Sequence, residues 1–138
     1  MVQTTRWRMP AEWTDHERTW MAWPTSGYTL GDTPAEVETA RRTWAAVARA
    51  VAGFEPVTLV VPPNDLHLCR EYIGNDTPHP IDIVIADLDD AWMRDIGPSF
   101  VLAPDGELGA VDWIFNGWGG QDWAAWGFDA RVATHVAD

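Results

Sequence analysis

Apolar and polar positions along the chain switch between short β-type runs and helix-type stripes, which predicts an α/β fold. Residues 19–23 are an apolar run stopped by Pro24 and read as a buried strand, and the turn-former-rich residues 24–32 read as a loop. The first helix has the clearest boundaries. Thr33 and Glu36 have capping-box spacing, Pro34 takes the first helical position and Gly53 follows the end. Within it Val37, Trp44, Val47 and Val51 recur at helical spacing and predict one apolar stripe.

Residues 57–61 are β-branched and leucine throughout and close on Pro62-Pro63, which suits a strand covered on both faces. A short helix is expected from Asn64 to just before Gly74, with Leu66, Cys69 and Ile73 on its inner side. Residues 81–86 form the next strand. After an acidic, tryptophan-containing segment, residues 99–102 and 108–114 flank Pro104-Asp105-Gly106 and predict a hairpin. The glycines of residues 115–120 would let the backbone pass close to another group. Asp129 is placed to cap a last helix with Val132 and Val136 on one face, and no terminating signal follows it before Asp138. That unfinished β-α pattern predicts the front part of a longer domain, with residues 1–138 as the N-terminal portion of a single domain.

Composition narrows the function. With 22% charged and 46% apolar residues the chain is globular in type and long enough for one core. Nine basic against 21 acidic residues give a formal net charge of −12, which argues against a nucleic-acid partner and favours cationic small molecules. One cysteine, Cys69, precludes an internal disulfide and fits a reducing compartment. No apolar run is long enough to span a bilayer, and residues 1–10 lack the apolar core of a secretory signal, so no membrane partner is expected and the cytoplasm is the expected location. Ten tryptophans are expected to serve mostly as packing, with two or three free for a ligand.

Candidate chemistry centres on Asp89-Asp90-Ala91-Trp92-Met93-Arg94-Asp95-Ile96-Gly97-Pro98. A carboxylate three residues after a tryptophan shares a face with it on a helical turn, though not on a flat strand. An acid beside an indole face suits a planar organic cation, gripped bidentately and covered by the ring. Spacing alone equally allows Asp95 to pair with Arg94 and Trp92 to fill a core. Asp87, Asp89 and Asp90 offer oxygen ligands but match no calcium-loop spacing, so no metal is expected. No carboxylate pair is set out for glycoside hydrolysis, although the tryptophans leave a carbohydrate-binding domain open. His67 and Cys69 lie in the predicted short helix with the thiol inward, where it is inert. His16, His79 and His135 fit neither a metal set nor a triad.

Three segments in order resemble the agmatine deiminases and the bacterial-type peptidylarginine deiminases. Arg8-Met9-Pro10-Ala11-Glu12-Trp13 with His16-Glu17-Arg18-Thr19-Trp20-Met21-Ala22-Trp23-Pro24 resembles the family's opening; the Asp89–Pro98 segment and Phe115-Asn116-Gly117-Trp118-Gly119-Gly120 are similar to two internal signatures. The resemblance implies part of a pentein-type five-bladed α/β propeller of ββαβ modules. It also implies cofactor-free hydrolysis of a guanidinium to a ureido group, in which a cysteine thiolate attacks, a histidine shuttles protons and water resolves the intermediate. By resemblance Asp95 holds guanidinium nitrogens and Trp92 walls the pocket, with Asn116 and Trp118 lining or supporting it. The family's histidine, in a His-x-Asp context, and its glycine-flanked cysteine have no counterpart in the chain and are expected downstream; Cys69 matches neither motif, so no catalytic residue is expected here. The small guanidino substrate is then agmatine, with peptidyl arginine or a non-catalytic guanidino-binding module as alternatives. Homo-oligomerisation is left open.

Overall fold

A computed structural model describes residues 6–137; residues 1–5, half of the stretch tested for a secretory signal, and Asp138, the end of the predicted last helix, lie outside the described residues. Three parallel strands, β1 (Thr19–Ala22), β2 (Val57–Val61) and β3 (Ile81–Ile85), lie side by side in that order. Thr19 stands opposite Val57, and Val57 opposite Ile81. The chain enters a one-turn helix α1 (Gly27–Leu30) after β1, then α2 (Pro34–Val51) leads to β2, and a 3₁₀ turn with α3 (Leu66–Ile73) leads to β3. These are the crossovers that parallel pairing requires.

Every residue of β2 is buried, as its unbroken apolar run predicts for a central strand. Alternation along it feeds two cores. Val57, Leu59 and Val61 pack with Trp23, Ala45, Ala48, Cys69 and Ile73 beneath α2 and α3. Val60 packs on the opposite face with Ala22, Leu88, Ala91, Ile96, Val132 and Val136. The second face is covered by α4 (Met93–Ile96) and α6 (Val132–Ala137).

Helix α2 starts as its sequence dictates. The Thr33 side chain accepts from the Glu36 N–H at 3.3 Å and the Glu36 carboxylate accepts from the Thr33 N–H at 2.9 Å. The Thr33 hydroxyl and the backbone N–H groups of Thr33 and Asp32 hold the Glu36 carboxyl below the usual carboxylate range. The buried face differs from the expected stripe. Ala40, Ala45 and Ala48 are buried while Val47 is 47% exposed. Small residues let the helix lie close on the sheet, so the packing face is set by the alanines rather than by every valine.

The hairpin β4 (Ser99–Leu102) with β5 (Leu108–Val111) is antiparallel and ends earlier than the expected residue 114. Ser99 opposite Val111 is its last pair, because Pro98 has no N–H to extend the ladder. Ile114 accordingly stands 98% exposed. Two stretches read as loops each contain one tight turn, the helical α1 and the left-handed turn α5 (Gly117–Gly120). Burial of the tryptophans also departs from expectation. Only Trp23 is fully buried, and Trp7, Trp13, Trp92, Trp113 and Trp123 are exposed. Half of the ten therefore present large aromatic surfaces instead of filling the core. Among the described residues no helix is long and apolar enough to cross a membrane.

Candidate functional site

Because β1, β2 and β3 are parallel, the segments that follow them leave the same edge of the sheet. The segment after β1 and the segment after β3 meet there. The Ser26 hydroxyl donates to the Asp89 carbonyl at 2.7 Å, and the Tyr28 N–H donates to the Asp90 carboxylate at 2.9 Å. Parallel topology thus brings Tyr28 and Trp92, 64 positions apart in the sequence, to one carboxylate.

Trp92 and Asp95 straddle the single turn of α4. The Asp95 and Ile96 N–H groups donate back to the Trp92 carbonyl at 2.8 and 3.0 Å, which turns residues 92 and 95 to one side and buries Ile96 on the other. The carboxylate and the indole therefore share a face. Arg94 points elsewhere and pairs with Glu12 at 2.8 Å, so the alternative Arg94–Asp95 pair does not form. Trp92 is 38% exposed and does not fill the core; its indole N–H donates to Asp90 at 3.2 Å.

Trp118 completes the group from α5. Its backbone is left-handed, φ 55° and ψ 41°, a region that a bulky side chain seldom occupies. Neighbours hold it there. The Asn116 side chain accepts from the Gly119 N–H at 2.9 Å, Gln121 Nε2 donates to the Trp118 carbonyl at 3.2 Å, and the Phe115 ring meets the indole edge-on at 5.1 Å. Gly117, with φ +62°, lies against the Trp126 ring where no Cβ fits. The result aims the Trp118 indole N–H at Asp95 Oδ1, 3.0 Å away. Trp118 stands edge-to-face with Trp92 at 6.4 Å and stacks on Trp123 at 5.3 Å and 22°; Trp123 in turn meets Tyr28 at 6.2 Å.

Tyr28, Trp92, Asp95, Trp118 and Trp123 line one cleft of about 670 Å³. An exposed carboxylate at one end of a run of four aromatic rings suits a flat cation with an aliphatic tail. Asp95 Oδ1 is shared with Trp118, and a carboxylate oxygen accepts more than one bond, so both oxygens remain open to a guanidinium. Asn116 supports the α5 turn and does not line the cleft. Tyr28 and Trp123 do line it and escaped sequence reasoning. The abundance of tryptophan was a signal for Trp123; nothing local marked Tyr28.

The other candidate groups have structural employment. Asp89 and Asp129 interlock: Asp129 accepts from the Asp89 and Asp90 N–H groups at 2.8 and 3.1 Å, and Asp89 accepts from those of Phe128 and Asp129 at 2.6 and 3.2 Å. Asp129 therefore does not cap the last helix with its side chain, contrary to the sequence reading. Burial, with lesser contributions from the Asp89 and Asp90 charges, pushes its carboxyl up to about 6 despite those hydrogen bonds. Cys69 is fully buried under α2, and burial pushes its thiol up to about 12. His67 faces Glu71 at 3.5 Å on the exposed side of α3. Among the described residues no group of three or more His, Cys, Asp or Glu could hold a metal ion.

Comparison with known proteins agrees with this architecture. Residues 8–138 match the model of the Porphyromonas-type peptidyl-arginine deiminases. The chain is 57% identical over 131 residues to a Streptomyces coelicolor protein provisionally named an agmatine deiminase, covering 95% of this chain and 37% of that one. It is 42% identical over 133 residues to the agmatine deiminase of Stutzerimonas stutzeri, covering 94% and 34%. The solved agmatine deiminase of Enterococcus faecalis superposes with a TM-score of 0.79 at 33% identity, over 99% of this chain and 37% of that one. The chain thus spans about a third of the length of the curated relatives it matches, and its mixed α/β structure is part of the pentein-type fold.

Proposed function

Because the chain belongs to the Porphyromonas-type peptidyl-arginine deiminase family, we propose that its cleft binds the guanidinium of agmatine. In this reading Asp95 receives the guanidinium nitrogens and Trp92 walls the pocket. Trp118 lines it and orients Asp95, and Asn116 fixes the turn that carries Trp118. The observation that carries the reading is the exposed Asp95 carboxylate facing the Trp92 and Trp118 rings in one cleft. Residues 1–138 form the N-terminal portion of a single deiminase domain acting in the cytoplasm.

The reaction is hydrolysis: water supplies an oxygen to the guanidinium carbon, one C–N bond breaks, and agmatine yields N-carbamoylputrescine and ammonia. It runs through a covalent intermediate in which a cysteine sulfur is bonded to the guanidinium carbon in place of the departed ammonia, and water then displaces the sulfur, with a histidine moving the protons. Both are assigned to residues outside these 138. Cys69 is unsuited to the task, being buried with its thiol raised to about 12. The chain contributes the substrate grip and is inactive by itself.

Calorimetric titration of the chain with agmatine, beside a neutral oligosaccharide, tests the reading. Heat from agmatine and none from the sugar is expected; the reverse pattern refutes it and favours a carbohydrate-binding domain.

A further inference from the structure

We propose that Asp90 is a positioning residue that sets the spacing of two walls of the cleft, an assignment that rests on the guanidine-binding reading above. Asp90 is 5% exposed, and its carboxylate accepts from five donors. Oδ2 accepts from the Tyr28 N–H at 2.9 Å and from the Trp92 indole N–H at 3.2 Å. Oδ1 accepts from the Ala91 N–H at 2.8 Å, the Thr29 N–H at 3.3 Å and the Thr29 hydroxyl. Among the described residues no cationic side chain pairs with it, so these donors alone offset the cost of burying the charge.

Three features of the fold are arranged around this carboxylate. Helix α1 has no cap from its own Ser26, whose hydroxyl is turned to the Asp89 carbonyl; Asp90 caps it from across the sheet. Gly27 precedes the captured Tyr28 N–H with φ +71°, and a Cβ there would lie 2.7 Å from Asp90 Cγ and Oδ2. Only glycine leaves room for the carboxylate to come this close. The third feature is Trp92, a half-open wall whose indole N–H is tied to a buried, immobile acceptor. One oxygen, Oδ2, therefore holds two of the residues that line the cleft, Tyr28 and Trp92. Asp95 meets the ligand, and Asp90 keeps the rings at the separation a flat cation requires.

Asp90→Asn is the informative change, because an amide offers one acceptor oxygen instead of two and places an NH₂ against donors. The assay is the ¹⁵N–¹H spectrum of the indole groups, with the Trp92 signal identified by its loss in Trp92→Phe, alongside agmatine calorimetry. Asp90→Asn should move the Trp92 indole signal and raise the agmatine Kd tenfold or more. Thr33→Ala, which loses the cap of α2 at a residue that does not line the cleft, should leave both unchanged. An unmoved signal, or an unchanged Kd where the wild-type chain binds, overturns the assignment. No agmatine heat from the wild-type chain instead overturns the guanidine reading on which it rests. A second measurement needs only the wild-type fold: the Trp92 indole proton should exchange with solvent far more slowly than that of the 90% exposed Trp13. Equal exchange rates overturn the assignment even if Asp90→Asn does not fold.

Discussion

Replacing Asp129 by asparagine should remove one component of the pH dependence of stability and leave the rest. Asp129 is 1% exposed and lies against Asp89 and Asp90, the two charges that face it from the segment after β3. Its carboxyl has risen from 3.8 to about 6. The folded state therefore holds a proton between those values that the unfolded chain releases, and stability from this group falls as pH rises. The contribution is fully present below pH 3.8 and lost as pH passes through about 6. A shift of this size corresponds to about 3 kcal/mol. Glu36, Glu38, Glu55 and Asp76 act with the opposite sign, since hydrogen bonds hold their carboxyls low and their stabilisation fades on acidification. Only the difference between wild type and Asp129→Asn isolates the buried group. The asparagine keeps one acceptor for the Asp89 and Asp90 N–H groups, so its own cost is nearly independent of pH. Urea unfolding followed by tryptophan fluorescence at pH 4 and 7.5 reads the difference. Wild type should gain roughly 2–2.5 kcal/mol of that relative to the variant on going to the lower pH, since the unfolded carboxyl is itself partly protonated at pH 4. A flat difference, or one of opposite sign, refutes the claim that burial governs this carboxyl.

Gly117→Ala combines a left-handed backbone with a Cβ driven into the Trp126 ring, and should cost roughly 2–4 kcal/mol in urea unfolding; a loss below about 0.5 kcal/mol counts against the close packing of α5. Cys69 in the native chain should resist thiol reagents at pH 8 and react only on unfolding, as its raised thiol and complete burial require; rapid labelling of native protein contradicts this. Ammonia release from agmatine by the purified chain, abolished in Cys69→Ala, is the outcome that reverses the assignment of the nucleophile elsewhere. Trp118→Phe keeps a ring but removes the N–H that orients Asp95, and should weaken agmatine binding several-fold in calorimetry; unchanged affinity removes Trp118 from the site.

Features written into neighbouring residues were legible in the sequence. The capping box of Thr33 and Glu36, the apolar run of β2 and the turn that places Trp92 and Asp95 on one face are all local, and the structure contains them. Features that depend on which segments meet were not. Tyr28 reaches the cleft because parallel strands send the segments after β1 and β3 to the same edge, and no residue near Tyr28 encodes that meeting. Asp129 looked like a helix cap, yet the return of α6 across the sheet turns its carboxylate to Asp89 and Asp90. Val47 fits the helical period but misses the core, because contact with the sheet is set by the width of the alanine face. The three motifs resembling the deiminases carried the family; the edge-on and stacked arrangement of the rings came only with the fold.

The central claim is that Asp95 grips a guanidinium between indole rings. Its most direct measurement is agmatine titration of wild type against Asp95→Asn, with far-ultraviolet circular dichroism showing both folded. A charge-assisted bidentate grip predicts at least a tenfold rise in Kd, because a neutral amide neither balances the cation nor accepts with both atoms. Equal affinity in the two proteins contradicts it.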